Sequence, residues 1–117
     1  MSGQLAAKSC TPCRGGVDPL SLDVAQEYLK STPRWNLMDD GHRLERKFTF
    51  KDFAAALAFV DKVAAIAEEE EHHPDISFGW GYATVSVHTH KIKGLHENDF
   101  ILASKIDQLP GAHQPKR

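Results

Sequence analysis

Between Arg43 and Thr89 the spacing of apolar residues changes from every second position to every third or fourth, and then back again. That double switch constrains the fold more than any other feature of the chain. Leu44, Arg46, Phe48 and Phe50 share one parity, while Arg43, Glu45, Lys47 and Thr49 share the other, as in a half-buried strand over 42–50. Arg46 interrupts the apolar face; it is either a side chain snorkelling at a sheet edge or an anchor for a partner or ligand. Asp52 can cap the next element. From Phe53 to about Glu71, Phe53, Ala56, Leu57, Val60, Val63, Ala64 and Ala67 form a helical stripe. Ala54, Ala55, Ala58 and Ala65 widen it beyond what one sheet requires, which points to helix–helix assembly between subunits. Alternation returns in Ile76 to Trp80 and in Tyr82 to Thr89, on either side of Gly81. Val85, Val87 and Thr89 then lie on one side, and Thr84, Ser86, His88 and His90 on the other.

The flanks complete the pattern. Ser21 can cap a short helix with Leu22, Ala25 and Leu29 on one face, stopped by Pro33. Trp35 to Leu37 reads as a short strand, turned by Asp39-Asp40-Gly41. After a turn from Lys91 to Leu95, residues 98–109 carry a last helix whose apolar face is Ile101, Leu102, Ile106 and Leu109. The order helix, strand, strand, helix, strand, strand, helix predicts a two-layer α+β domain: a four-stranded antiparallel sheet with helices on one face. The expected divisions are a flexible N-terminal arm over 1–19, the domain over 20–109 and a frayed tail over 110–117.

A chain of 117 residues, 41% of them hydrophobic, suits one compact domain. The formal charge is −2 with no basic stripe, which argues against direct nucleic-acid binding. No apolar run is long enough for a membrane span and the N-terminus lacks a signal-like apolar core, so a cytoplasmic location is expected. Cys10 and Cys13 form a lone C-x-x-C, which is a redox pair, half of a zinc site, or two incidental thiols. Nothing before Cys10 reads as a strand, and residues 8–19 are rich in Gly, Pro and Ser. Incidental thiols on an arm are the preferred reading.

Four of the seven histidines, His72, His73, His88 and His90, fall in one short stretch. Histidine gives or takes a proton near neutral pH, so such a cluster is an acid–base site, a metal site or a surface accident. Pro74 disfavours helical backbone at His73, so the helix should end there, with His72 in or beside its last turn. The acidic run Glu68 to Glu71 places negative charge beside both rings and would favour their protonated forms. His90 stands where a strand meets a turn. Such an arrangement can juxtapose a proton donor and an acceptor, the division of labour that a dehydration needs. Asp99, three residues after His96, can satisfy helix-terminal N–H groups, orient an imidazole, or do both; His96 itself looks like a poor cap. His88-Thr89-His90 also has a spacing that metal sites use, with His72 or His73 and Asp99 as further ligands. Phe78, Trp80 and Tyr82 share parity and could stack on a flat ring or belong to the core.

These residues together resemble the pterin-4a-carbinolamine dehydratase family. The likeness rests on His72-His73-Pro74-Asp75, Trp80, Val85, Val87, Thr89-His90, Gly94-Leu95, Asp99 and the Ile101-Leu102-Ala103 to Ile106 helix. Upstream, Trp35, the Leu44/Arg46/Phe48/Phe50 strand, Phe53, Ala56 and Phe59 also fit. The resemblance implies dehydration of a 4a-hydroxytetrahydropterin to the quinonoid dihydropterin, which recycles the pterin of aromatic amino acid hydroxylases. It implies His72, His73 and His90 as active-site histidines, Asp99 as their supporting carboxylate, and His73 and Trp80 as substrate-binding residues. It also implies no metal or organic cofactor, and a homodimer or homotetramer. His96 departs from the usual Ser or Thr, and His88 matches nothing the family requires. A non-enzymatic protein-binding module, of the transcription-factor dimerisation type known in the family, and a histidine-ligated metal-binding protein are the alternatives.

Overall fold

The computed structural model describes residues 5–10 and 18–112. Helix α1 (Leu22–Leu29) is followed by strands β1 (Asn36–Met38) and β2 (Arg43–Thr49), then helix α2 (Phe53–Glu70). Strands β3 (Asp75–Gly79) and β4 (Tyr82–Val87) follow, and helix α3 (Glu97–Asp107) closes the domain. The four strands form one antiparallel sheet in the order β1-β2-β4-β3, with the three helices on one face. The α+β architecture expected from the switch in apolar spacing is the one observed.

Local chemistry explains the boundaries. Ser21 Oγ accepts from the Val24 N–H at the start of α1, and Asp52 Oδ1 accepts from the Ala55 N–H, 2.8 Å away, at the start of α2. Helix α2 buries Ala56, Phe59, Val63 and Ala67, one stripe at helical spacing. Phe53 and Leu57 stay exposed, so part of the apolar surface of α2 is uncovered in the single chain. The turn between β3 and β4 needs only Trp80 and Gly81, and Gly81 takes φ 81°, a region that favours glycine.

Helix α2 stops earlier than Pro74 alone predicts. Glu71 adopts a left-handed conformation (φ 55°), and its N–H bonds back to the Ala67 and Glu68 carbonyls. This is the C-terminal reversal usually assigned to glycine. It turns the chain before His72 and sends both histidines into the segment that enters β3.

The core lies between the sheet and the helices. Leu44, Phe48, Val85 and Val87 meet Phe59 and Val63 of α2 and Phe100, Ile101, Leu102 and Ile106 of α3. Phe48 packs against Phe59 with ring centroids 4.6 Å apart and edge-on against Trp35 at 6.1 Å. Residues at both ends join this core: Leu5 and Ala112 are buried. Residues 5–10, expected to belong to an arm, lie against the helices, with Lys105 Nζ donating to the Ala6 carbonyl at 2.8 Å.

Neither sequence reading of Arg46 matches its surroundings. β2 is an interior strand, not an edge, and Arg46 is buried on its helix-facing side. Its Nη1 donates to Asp107 Oδ1 at 2.6 Å, its Nη2 to the Ala112 carbonyl at 2.8 Å, and the guanidinium lies 4.3 Å from the Phe48 ring centroid. Trp35 Nε1 donates to the same Asp107 oxygen at 2.8 Å. The charge is therefore an internal fastener joining β2, α3 and the C-terminal turn.

Candidate active site

Three chain segments converge at the end of the sheet where β4 finishes and β3 begins. The reversal at Glu71 delivers His72, the residue after β4 and His88 is Thr89, and the first turn of α3 supplies Asp99. Asp99 is fully buried and collects three donors. His72 Nε2 lies 2.7 Å from Oδ1, while Oδ2 accepts from Thr89 Oγ1 at 2.8 Å and from the His96 N–H at 2.9 Å. The His96 N–H can only donate, so Oδ2 is an acceptor. An Asp99 carboxylate accepts at Oδ1 as well; in that state the proton of the shared contact sits on His72 Nε2, and Nδ1 is the ring atom left to accept one.

Asp99 thus caps α3 and orients His72 at once. His96, expected to be a poor cap, in fact caps: its Nδ1 accepts from the Asn98 N–H at 3.1 Å, completing a reciprocal box with Asp99. An imidazole nitrogen can stand in for a Ser or Thr oxygen because the contact needs only a lone pair near the helix-terminal N–H.

The other expected residues divide into two groups. His73 is exposed, with Nε2 2.5 Å from Glu68 Oε2. His90 is exposed too, in a short turn (His90–Ile92) pinned by the Thr89 N–H donating to the Gly94 carbonyl at 2.8 Å. Its ring packs on His88 with centroids 4.1 Å apart. Antiparallel pairing of Asp75 with Ser86 sets His73, two residues before Asp75, and His88, two residues after Ser86, at the same rim. A shallow cleft of about 360 Å³ adjoins this rim, lined by Asp39, His42, Arg43, His88, His90 and Lys93.

Trp80 lies elsewhere. It is 72% exposed in the turn between β3 and β4, at the opposite end of β3 from the histidines. The two-residue turn also breaks the shared parity of Phe78, Trp80 and Tyr82. Phe78 faces the helices, its ring 5.6 Å from that of Phe53, whereas Tyr82 lies beneath Lys47 Nζ at 5.4 Å.

Of the C-x-x-C pair, Cys13 lies outside the described residues. Cys10 is half-buried; its N–H donates to Glu70 Oε1 at 2.7 Å and its Sγ lies 3.6 Å from the Asn98 carbonyl. Burial, reinforced by the Glu70 carboxylate, pushes its thiol up to about 12. A thiol in that state is a poor nucleophile and a poor metal ligand at neutral pH.

Thr89 is the site residue that sequence reasoning underused. It falls on the apolar parity of β4 with Val85 and Val87, and a hydroxyl there has to find a buried partner. His88 matches nothing the family resemblance requires, yet the H-x-H spacing, read as one that metal sites use, does place its ring beside that of His90.

The class so defined is a two-layer α+β domain with a histidine-rich sheet rim and one buried carboxylate that holds His72. Residues 18–109 match the family described as pterin 4 alpha carbinolamine dehydratase. A relative in Cupriavidus pinatubonensis is 58% identical over 109 residues, covering 93% of this chain and 94% of its own. One in Azoarcus sp. strain BH72 is 54% identical over 111 residues, covering 95% of each. Both are assigned to the pterin-4-alpha-carbinolamine dehydratases. The crystal structure of a transcriptional coactivator/pterin dehydratase from Brucella melitensis superposes with a TM-score of 0.72 at 30% identity, covering 77% of this chain and 96% of that one. A pterin dehydratase-like protein described as a RuBisCO assembly factor in the alpha-carboxysome gives 0.57 at 27% identity, covering 69% and 92%. The chain belongs to the pterin-4a-carbinolamine dehydratase family.

Proposed function

We propose that the protein is a hydro-lyase that converts a 4a-hydroxytetrahydropterin to quinonoid dihydropterin and water, recycling the pterin of aromatic amino acid hydroxylases. The observation that carries this reading is the buried Asp99 holding His72 by Nε2, which commits Nδ1 to proton acceptance. In the proposed step an imidazole takes the proton from ring nitrogen N5. The N5–H electron pair forms the C4a–N5 double bond, the C4a–O bond breaks, and a protonated imidazole gives its proton to the departing hydroxyl. One histidine gains a proton and the other loses one, so the site returns to its starting state by exchange with solvent. His72 and His90 are assigned to proton transfer and His73 to binding and orientation. No metal or organic cofactor enters these steps.

A stacking role for Trp80 requires a pterin held by a neighbouring subunit, because its own histidines lie at the other end of β3. This agrees with a homodimer or homotetramer, which would also cover the exposed Phe53 and Leu57 of α2. Direct nucleic-acid binding is not part of the proposal. The cytoplasmic location proposed is supported by the described helices, none of which is long and apolar enough to cross a membrane.

A dehydratase assay on chelator-treated protein, with His72→Ala and His90→Ala as controls, tests the assignment. Each variant should lose about 10²- to 10⁴-fold in turnover while keeping its circular dichroism. Full activity in both would sink it. Absence of turnover in the wild type would favour the second reading, a homo-oligomeric protein-binding module, which the coactivator and assembly-factor descriptions of the two solved relatives support.

A further inference from the structure

The proposed dehydration leaves His88 without a role, although its ring packs against that of His90. Asp75, at the start of the neighbouring strand β3, brings a carboxylate to the same place. One donor atom from each of Asp75, His88 and His90 lies within 4.8 Å of the others. Tetrahedral zinc at ordinary Zn–N and Zn–O lengths separates its donors by about 3.4 Å. Asp75 and His90 are exposed, so rotation of their side chains can close that gap without moving the sheet.

We propose that Asp75, His88 and His90 bind a divalent transition-metal cation of the zinc type, and that its occupation removes His90 from proton transfer. The second half rests on the dehydratase reading. Two imidazoles and one carboxylate are the ligand set that such borderline cations select over magnesium or calcium. Beyond the end of β4 the chain stays extended through Thr89 (φ −98°, ψ 105°) up to the turn that begins at His90, so the H-x-H spacing brings the two rings together, with centroids 4.1 Å apart. Three protein ligands leave a coordination position for solvent, as an exposed rim requires. Arg43, on the nearby cleft wall, presents little net repulsion: its guanidinium is paired with Asp39 at 3.0 Å and Glu45 at 2.9 Å. A cation holds the lone pair of a ligating imidazole nitrogen, so a bound His90 can neither accept nor deliver a proton through that atom.

Zinc chloride titration of chelator-treated full-length protein, followed by calorimetry, tests the site, with cobalt chloride as a spectroscopic probe. One zinc per chain is expected, with visible cobalt bands typical of low coordination. His88→Ala and Asp75→Asn should each weaken binding by about tenfold or more. In the dehydratase assay, zinc should inhibit the wild type reversibly. His88→Ala should keep its basal turnover and need about tenfold more zinc for the same inhibition. Substoichiometric zinc, or unchanged binding in both variants, would overturn the site. Site-specific binding with undiminished turnover would overturn its inhibitory role. If chelator-treated wild type shows no turnover, the dehydratase reading falls and the inhibition with it, while the zinc titration still decides the site.

Discussion

Replacing Asp99 by asparagine should separate orientation of His72 from its mere presence. The variant keeps the shape of the side chain, and its environment dictates which way the amide points. The His96 N–H can only donate, so the amide oxygen must take the place of Oδ2, where Thr89 can also donate to it. The amide NH₂ then faces His72 Nε2, 2.7 Å away in the parent protein, and forces that nitrogen to become the acceptor. The proton moves to Nδ1, the atom proposed to receive it from the substrate. All three contacts survive, but each loses its charge assistance. A hydrogen bond to a charged group contributes about 1.5–3 kcal/mol against about 0.5–1.5 for a neutral one, so the three contacts lose about 3–4 kcal/mol together. Burying a neutral amide costs less than burying a carboxylate and offsets part of this, for a net loss on the order of 2 kcal/mol. For a domain of this size that lowers Tm by roughly 10 °C and leaves the protein folded at 25 °C. Turnover of a 4a-hydroxypterin should fall about 10²- to 10⁴-fold at 25 °C, the range of a positioned general base. Nitrogen-15 shifts of the His72 ring should report Nε2–H in the parent and Nδ1–H in the variant. Undiminished kcat in Asp99→Asn, or a ring still protonated at Nε2, would refute the orientation argument.

Two further outcomes follow from other parts of the structure. Arg46→Met strips the guanidinium from the partly buried Asp107 and should cost about 3 kcal/mol in urea unfolding, at the low end for a buried pair, with Asp107→Asn in the same chain restoring part of it. No recovery in the double variant would show that packing over Phe48, not charge, is what Arg46 supplies. Cys10, with its thiol pushed up to about 12, should react slowly with iodoacetamide at pH 8 in a Cys13→Ser background. The sign follows from the raised value: the thiolate is scarce across neutral pH, and the rate should keep climbing well above pH 9. A labelling rate that is half-maximal near pH 8.5, about where an ordinary cysteine titrates, would contradict the burial against Glu70.

Periodicity revealed the fold because it is written by the solvent. Leu44, Phe48, Val85 and Val87 face the helices, and water on the other side of the strand selects Glu45, Lys47 and Thr84 at the intervening positions. The same signal is silent about Arg46. A buried cation looks like an error in an alternating pattern until its partner is known, and Asp107 lies 61 residues away on another element.

Within the site, legibility depended on whether a residue's role was local. Asp99 could be read as a cap because capping is a three-residue relation, and its second role follows once Thr89 and His72 arrive from other strands and turns. The pairing of His88 with His90 is present in the spacing, since residues two apart on extended backbone share a face and Thr89 between them is extended. What spacing could not supply was Asp75, whose arrival depends on β3 lying beside β4 in one register. A shift of that register by one residue would turn Asp75 to the helix side of the sheet and dissolve the donor set. The Asp75↔Ser86 pairing that brings the carboxylate to His88 and His90 is therefore also what makes a metal at this rim a property of the fold, and not of the histidines alone.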